Sequence, residues 1–176
     1  ILLDKIIGML KMDGLTVSAS YKDGILTKLE TRGNGEVGND IMIHAGSFLN
    51  LPARIPTDIH SLTVDGECII TYDDFKSINK NDEFANPRNL AAGTLNTLDP
   101  KTSAQRRLRF ITWDVIECDG ADLPSDFGDV LYSLATYGFD YVPYVNYDPS
   151  ESDLDECIEH LRNDATRFGY PIDGLV

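Results

Sequence analysis

Cysteine, histidine and cations are all scarce in this sequence, and each shortage excludes something. Cys68, Cys118 and Cys157 lie far apart, with no C-x-x-C pair and no histidine at ligand spacing. Neither a zinc site nor a disulfide framework is indicated, and the odd count suits a reducing compartment. His44, His60 and His160 are scattered, which gives a histidine-based catalytic centre little support. Apolar runs last only a few residues, so no membrane span is expected. The apolar opening, Ile1 to Leu10, carries Asp4 and Lys5 and lacks a basic leader and a small-residue cleavage site, so the expected location is cytoplasmic. Lysine and arginine total 15 against 29 aspartates and glutamates, a net charge of −14. That balance argues against a sequence-blind nucleic-acid binder, which needs surplus cations to neutralise phosphates, although it allows a local basic patch.

What is present is enough for one folded domain. With 176 residues, 42% of them hydrophobic, the chain can bury a core. It starts without methionine and stops inside the apolar run at Leu175 and Val176, so residues 1–176 read as one domain excised from a longer protein.

Leu15, Val17, Ala19 and Tyr21 alternate with the period of a half-buried strand, Asp23-Gly24 turns the chain, and Ile25 to Thr31 returns it as a hairpin. Leu62 to Tyr72 and Leu108 to Glu117 are further strand candidates, rich in β-branched and aromatic residues. Helices are expected over Pro87 to Leu98, Ser125 to Tyr137, and Ser152 to Asp164 with a serine cap. Asn146 to Asp153 reads as a solvated loop. Hairpins mixed with helices, without regular βαβ alternation, predict an α+β fold with mostly antiparallel sheet.

Three segments could carry chemistry. Lys11-Met12-Asp13-Gly14, placed just before the first strand, offers an amine at the lip of a sheet, with a glycine that lets a ligand approach the backbone. Thr31-Arg32-Gly33-Asn34-Gly35 and Gly38 form a glycine-rich loop whose N–H groups and Arg32 suit a phosphate, or simply a hairpin loop. In Asp65-Gly66-Glu67, Glu67 is either a buried acceptor for a ligand hydroxyl or a solvent-facing strand residue, the commoner case. Asp-Gly recurs at residues 23, 65, 119 and 173, where a turn is the default reading. Trp113, the sole tryptophan, is by default a core residue.

Taken together, these segments carry more information. Lys11-Met12-Asp13-Gly14, Thr31-Arg32-Gly33-Asn34-Gly35, Asp65-Gly66-Glu67, Phe84-Ala85-Asn86-Pro87-Arg88-Asn89-Leu90-Ala91-Ala92-Gly93, Leu98-Asp99-Pro100 and Ile172-Asp173-Gly174-Leu175-Val176 closely resemble, in order and spacing, the adenylation domain of the NAD+-dependent DNA ligases. The segment from Phe84 to Gly93 is the most specific, because no generic turn or helix rule predicts it. The resemblance implies a nucleotidyltransferase fold, two mostly antiparallel sheets framing a nucleotide cleft with helices outside. It implies Lys11 as the nucleophile that attacks the α-phosphorus of NAD+, expels nicotinamide mononucleotide and carries AMP as a phosphoramidate. AMP would then pass to the 5′-phosphate of nicked double-stranded DNA, held through the parent enzyme's other domains, before strand sealing.

By the same resemblance Arg32 contacts the nucleotide, Glu67 the ribose, and Trp113 stands where the family sets an aromatic ring against adenine. Arg88 lines the phosphate or leaving-group side, and Leu10 and Asp13, flanking the lysine motif, join the nucleotide-binding set. Mg2+ is the expected accompanying ion, with no protein ligands assigned. A free lysine titrates at about 10.4, so such a nucleophile needs neighbours that favour the neutral amine, and Arg32, Arg88 or Mg2+ are the candidates.

Several positions depart from the family pattern. Met9 replaces a usual glutamate two positions before the lysine, Asn34 an aspartate, Asp65 an arginine, and Asn96 another arginine. They mark a divergent member, for which a phage-encoded parent is one origin. Two alternatives stay open: an ATP-using ligase or capping-type nucleotidyltransferase, and a degenerate adenylate-binding module without catalysis.

Overall fold

The computed structural model describes residues 6–32 and 38–176. Most of the glycine-rich loop, Gly33 to Gly35 with Asn34 included, lies outside them. Two sheets organise the rest. The larger has strand order β3-β2-β4-β5-β6, built from β2 (Leu15–Lys22), β3 (Ile25–Thr31), β4 (Ser61–Ile69), β5 (Arg109–Asp119) and β6 (Asp140–Tyr141). The smaller has order β7-β1-β8, from β1 (Ile6–Met12), β7 (Tyr144–Tyr147) and β8 (Ile172–Leu175). Every pairing is antiparallel except β5 with β6. The α+β architecture is as expected.

The β2–β3 hairpin follows directly from its residues. Val17, Ala19 and Tyr21 are buried on one face, and Asp23 and Gly24 close the turn at φ of 47° and 77°, the left-handed pair that matches strand twist in a two-residue hairpin. At β1 the sequence reading needs correction: Lys11 lies inside a strand rather than ahead of the first one. Ile6 to Leu10 is an unbroken apolar run around Gly8, so the sequence shows no alternation there, although in the strand the buried Leu10 and Met12 alternate with the exposed Lys11. The predicted loop from Asn146 likewise begins as the last residues of β7.

Helix ends move for local chemical reasons. The strand expected to reach Tyr72 stops at Ile69, since Thr71 caps α1 (Tyr72–Ile78) by accepting from the Asp74 N–H. α2 (Pro87–Leu95) stops short of Leu98, which is highly exposed, and Asp99 then caps a short α3 (Pro100–Ala104). α4 (Phe127–Thr136) is capped by Asp126, and α5 (Leu154–Phe168) by Asp153 rather than Ser152. α5 runs on to Gly169, whose φ of 65° supplies the left-handed stop.

The Phe84 to Gly93 segment is a self-contained device. Asn79 grips Phe84 through both its main-chain groups, and the Phe84 ring packs where a Cβ on Gly93 would stand 2.7 Å away. Asn86 caps the Asn89 N–H, Pro87 opens the first turn, and Leu90 and Ala91 sink into the core beside β4. Arg88, on the exposed side of the helix, reaches across to the Asp13 carboxylate. His44, by contrast, is buried against the Ser103 hydroxyl at 2.9 Å, a packed structural histidine.

Gly66 is the tightest point of β4. A methyl there would meet the Phe110 ring at 2.6 Å and the Ile111 carbonyl oxygen at 2.7 Å. Overpacking of a rigid site costs about 1 to 3 kcal/mol. Gly66→Ala is therefore expected to lower Tm by roughly 3 to 10 °C, followed by circular dichroism. An unchanged Tm would show that the strand yields freely at this point.

Candidate active site

The chain bends at Asp13 and Gly14 from the small sheet into the large one, and a cleft of about 840 Å³ opens along that junction. Gly14 is required by the protein itself rather than by a ligand. A Cβ there would strike the Cys68 carbonyl and come within 2.8 Å of Ile69 and 2.9 Å of Glu67. The bend thus packs directly on β4, which brings Lys11 of β1 and Glu67 of β4 to the same cleft.

Of the residues singled out in the sequence, Leu10, Lys11, Arg32, Glu67, Arg88 and Trp113 all line this cleft. Asp13 sits behind them and holds Arg88. Each cation has a carboxylate partner: Lys11 Nζ to Asp173 Oδ2 at 2.9 Å, Arg88 to Asp13 at 3.1 Å, and Arg32 to the buried Asp65 at 3.4 Å. Arg32 and Arg88 therefore do not stand as unopposed positive charges facing Lys11, as the sequence reading supposed. The aspartate at position 65, where the resembled family usually carries arginine, explains the Arg32 pairing.

Glu67 is the buried acceptor rather than a solvent-facing strand residue, at 9% exposed. Thr16, its direct partner in the β2–β4 register, donates a hydroxyl hydrogen bond to Oε2 at 3.3 Å. Burial raises the Glu67 carboxyl to about 7, against the opposing pull of Thr16, Arg88 and the Gly14 N–H and with a further push from Asp13. A carboxyl poised there can accept or donate a proton near neutral pH.

Two site residues owe their position to strand irregularities. In the β4–β5 ladder Asp65 pairs Asp114 and Gly66 pairs Thr112, so Trp113 is the extra residue of a bulge, half-buried and lining the cleft. In the β1–β8 ladder Lys11 pairs Gly174 and Met12 pairs Ile172, so Asp173 is the extra residue, aimed at the Lys11 amine. Its Asp-Gly reads as a turn in sequence and is a bulged strand in space. Asp65-Gly66 likewise lies within β4. Thr16 and the role of Asp173 carried no signal in the sequence beyond membership of their motifs.

Removing the Glu67 charge tests this electrostatic picture. Below its ordinary value of 4.5 the carboxyl is neutral in folded and unfolded chains alike, and ionising it in the fold becomes a full cost only above about 7. Glu67→Gln is expected to gain about 2 to 3 kcal/mol at pH 8 and nothing at pH 4, read by denaturant unfolding. An equal gain at both pH values would mean that burial of the charge is not the source.

Comparison with known proteins agrees with this geometry. The family model described as the NAD-dependent DNA ligase adenylation domain matches residues 4–176. A DNA ligase of Lactiplantibacillus plantarum is 35% identical over 173 residues, covering 95% of this chain, and one of Rickettsia massiliae is 37% identical over 174 residues. The chain spans about a quarter of the length of each of these relatives (25%). Among solved structures, a mycobacterial DNA ligase D complexed with ATP and MES superposes with a TM-score of 0.57 at 16% identity, over 99% of this chain and 48% of that one, a likeness of fold. With its whole described cleft assembled from the motifs that the family model spans, the chain belongs to the NAD-dependent DNA ligase adenylation domain family.

Proposed function

We propose that this chain is the adenylation domain of an NAD+-dependent DNA ligase and that Lys11 is its nucleophile. The single observation that carries the proposal is the Lys11 amine at the mouth of the cleft, 2.9 Å from the carboxylate of Asp173. An amine nucleophile must shed a proton before its lone pair can attack, and Asp173 is in hydrogen-bond contact to receive it. The N–P bond then forms at the adenylyl phosphorus of NAD+ while the bridging P–O bond breaks, and nicotinamide mononucleotide leaves with that oxygen.

The other residues position and bind. Glu67 accepts from a ribose hydroxyl when ionised, Trp113 offers its ring face to adenine, and Arg32 and Arg88 exchange their carboxylate partners for phosphate oxygens. Leu10 closes the floor behind the lysine. Among the described residues no three acidic, histidine or cysteine side chains converge on a metal position, so the cleft provides no cage for Mg2+. The ion would travel instead on the phosphates of the dinucleotide, as Mg2+ commonly does, and supply charge neutralisation there. In the longer protein AMP would pass from Lys11 to the 5′-phosphate of nicked DNA.

Lys11→Ala tests the assignment with little structural cost, since the side chain is 54% exposed. In the protein that carries this chain, incubation with NAD+ and Mg2+ should add the mass of one AMP to the wild type and none to the variant. An adduct on Lys11→Ala would put the nucleophile elsewhere, and an adduct from ATP in place of NAD+ would change the donor.

Trp113 gives a second, optical test. As the sole tryptophan, it should change emission as AMP saturates the cleft, because stacking replaces water on its exposed ring face. Saturation by calorimetry with unaltered emission would return Trp113 to a purely packing role.

A further inference from the structure

The Glu67 carboxyl is held from a neighbouring strand by one side-chain hydroxyl, that of Thr16. Thr16 and Glu67 face each other directly across the β2–β4 ladder, on the cleft side of the sheet. Their separation is set by backbone register rather than by flexible side chains, since directly opposed cross-strand pairs sit within side-chain reach. The Thr16 hydroxyl donates to Oε2. This bond orients the carboxyl plane and engages one oxygen, the Gly14 N–H acts on the same carboxyl from the main chain, and a carboxylate has further lone pairs with which to accept from a ligand. A hydroxyl that donates also favours the ionised carboxylate over the protonated acid, and only the ionised form is an acceptor at both oxygens.

We infer that Thr16 is a positioning residue of the cleft, orienting the Glu67 carboxylate so that it receives a hydroxyl donor of the substrate. The use of that carboxylate for the substrate rests on the adenylation reading above, whereas the Thr16–Glu67 coupling does not. Among the described residues, no other side chain hydrogen-bonds Glu67. Arg88 acts on it through space but is bonded to Asp13, Asp13 opposes ionisation, and the Gly14 N–H is a fixed main-chain donor. On its own strand, Asp65 is turned to Arg32 and Cys68 is a fully buried thiol pushed up by burial and by Glu67 itself. Thr16 is thus the side-chain donor whose removal changes both the direction and the ionisation of Glu67.

The sign follows from the bond. It lowers the Glu67 midpoint from where burial alone would set it, so Thr16→Val, which keeps the shape and removes the donor, should raise that midpoint from about 7. A single hydrogen bond of this kind shifts it by about 0.5 to 1 pH unit. Thr16→Ser keeps the donor and should restore the wild-type midpoint.

Two measurements are made in parallel. The first titrates the Glu67 carboxyl in the 176-residue chain by carbon-13 NMR, assigned by its loss in Glu67→Gln, and needs no turnover. The second follows kcat/KM for NAD+ against pH in the protein that carries the chain. The acid limb should move to higher pH in Thr16→Val, with KM at pH 6.5 raised roughly 3- to 10-fold, kcat at saturating NAD+ nearly unchanged, and both recovered in Thr16→Ser. An NMR midpoint unmoved in Thr16→Val, or one that Thr16→Ser fails to restore, overturns the coupling whatever the activity. A moved midpoint in a protein that forms no lysyl-AMP leaves the coupling standing and overturns the adenylation reading. A moved midpoint with an unmoved acid limb of kcat/KM overturns the substrate role assigned to the Glu67 carboxylate.

Discussion

The contact on which the cleft depends is the seating of the Asp13–Gly14 bend against β4. Because no side chain fits between Gly14 and the Cys68 carbonyl, the small sheet is locked to the large one at a fixed distance. Strand β1 carries Lys11 and strand β4 carries Glu67, so this one close approach places amine and carboxyl in the same cavity without any loop having to order. Sites carried on paired strands hold their geometry better than sites on loops, because register fixes each side chain relative to its neighbours. Met9 extends the same lock toward the chain end, its N–H and carbonyl both bonded to Val176 at 2.7 and 2.9 Å.

Charge in the cleft is compensated before any ligand arrives. Lys11, Arg32 and Arg88 pair with Asp173, Asp65 and Asp13, and Glu67 adds a buried acid beyond that balance. An incoming polyphosphate must therefore compete with carboxylates already in place, and those carboxylates need somewhere else to direct their charge. A cation arriving on the phosphates meets that need physically, even though the described residues hold no ligand cage for one. The Lys11–Asp173 and Arg88–Asp13 pairs are open to solvent on both sides, which screens them and makes exchange of partner cheap, whereas withdrawing Arg32 would leave the buried Asp65 unpaired. Glu67 is the other expensive group, its burial raising it toward neutrality, and a neighbouring hydroxyl specifically supports it.

Much of this was legible in the residues. Alternation gave the β2–β3 hairpin, Asp23-Gly24 gave its turn, and the segment from Phe84 to Gly93 pointed to a specific structure before its caps and ring packing could be seen. Bulges were the chief thing hidden. A bulge adds one residue to a strand and shifts everything after it by half a period, and neither the hydrophobic pattern near Trp113 nor that near Asp173 records the extra residue. Both residues reach the cleft for that reason, and both carried a blander default, core for Trp113 and turn for Asp173. The strand β1 was hidden differently: its first five residues are all apolar or glycine whichever way they face, so the alternation of Leu10, Lys11 and Met12 is too short to mark a strand. Short capped helices such as α1 and α3 depend on single side chains, Thr71 and Asp99, whose capping competes with loop chemistry of the same residue types.

The acidic balance also needs a location before it can be turned into function. From residue 110 to residue 161 there is no lysine or arginine, and this stretch holds thirteen of the 29 acidic residues, nearly the whole net charge of −14. The segment from α1 through the start of β5 is mixed, with Lys76, Lys80, Arg88, Lys101, Arg106, Arg107 and Arg109 against Asp73, Asp74, Asp82, Glu83 and Asp99. Arg107 and Arg109 are held by Asp74, at 2.6 and 3.1 Å, and Arg106 lies over the Phe84 ring, so part of that charge is spent in holding α1, α2 and β5 together. A field is felt locally within a Debye length of about 8 to 10 Å at ordinary salt, so a distant acidic surface does not cancel a nearer basic one. The net charge of −14 is therefore a property of residues 110 to 161 far more than of the segment that carries Arg88, and a chain-wide sum says little about the field that an anion meets at the cleft.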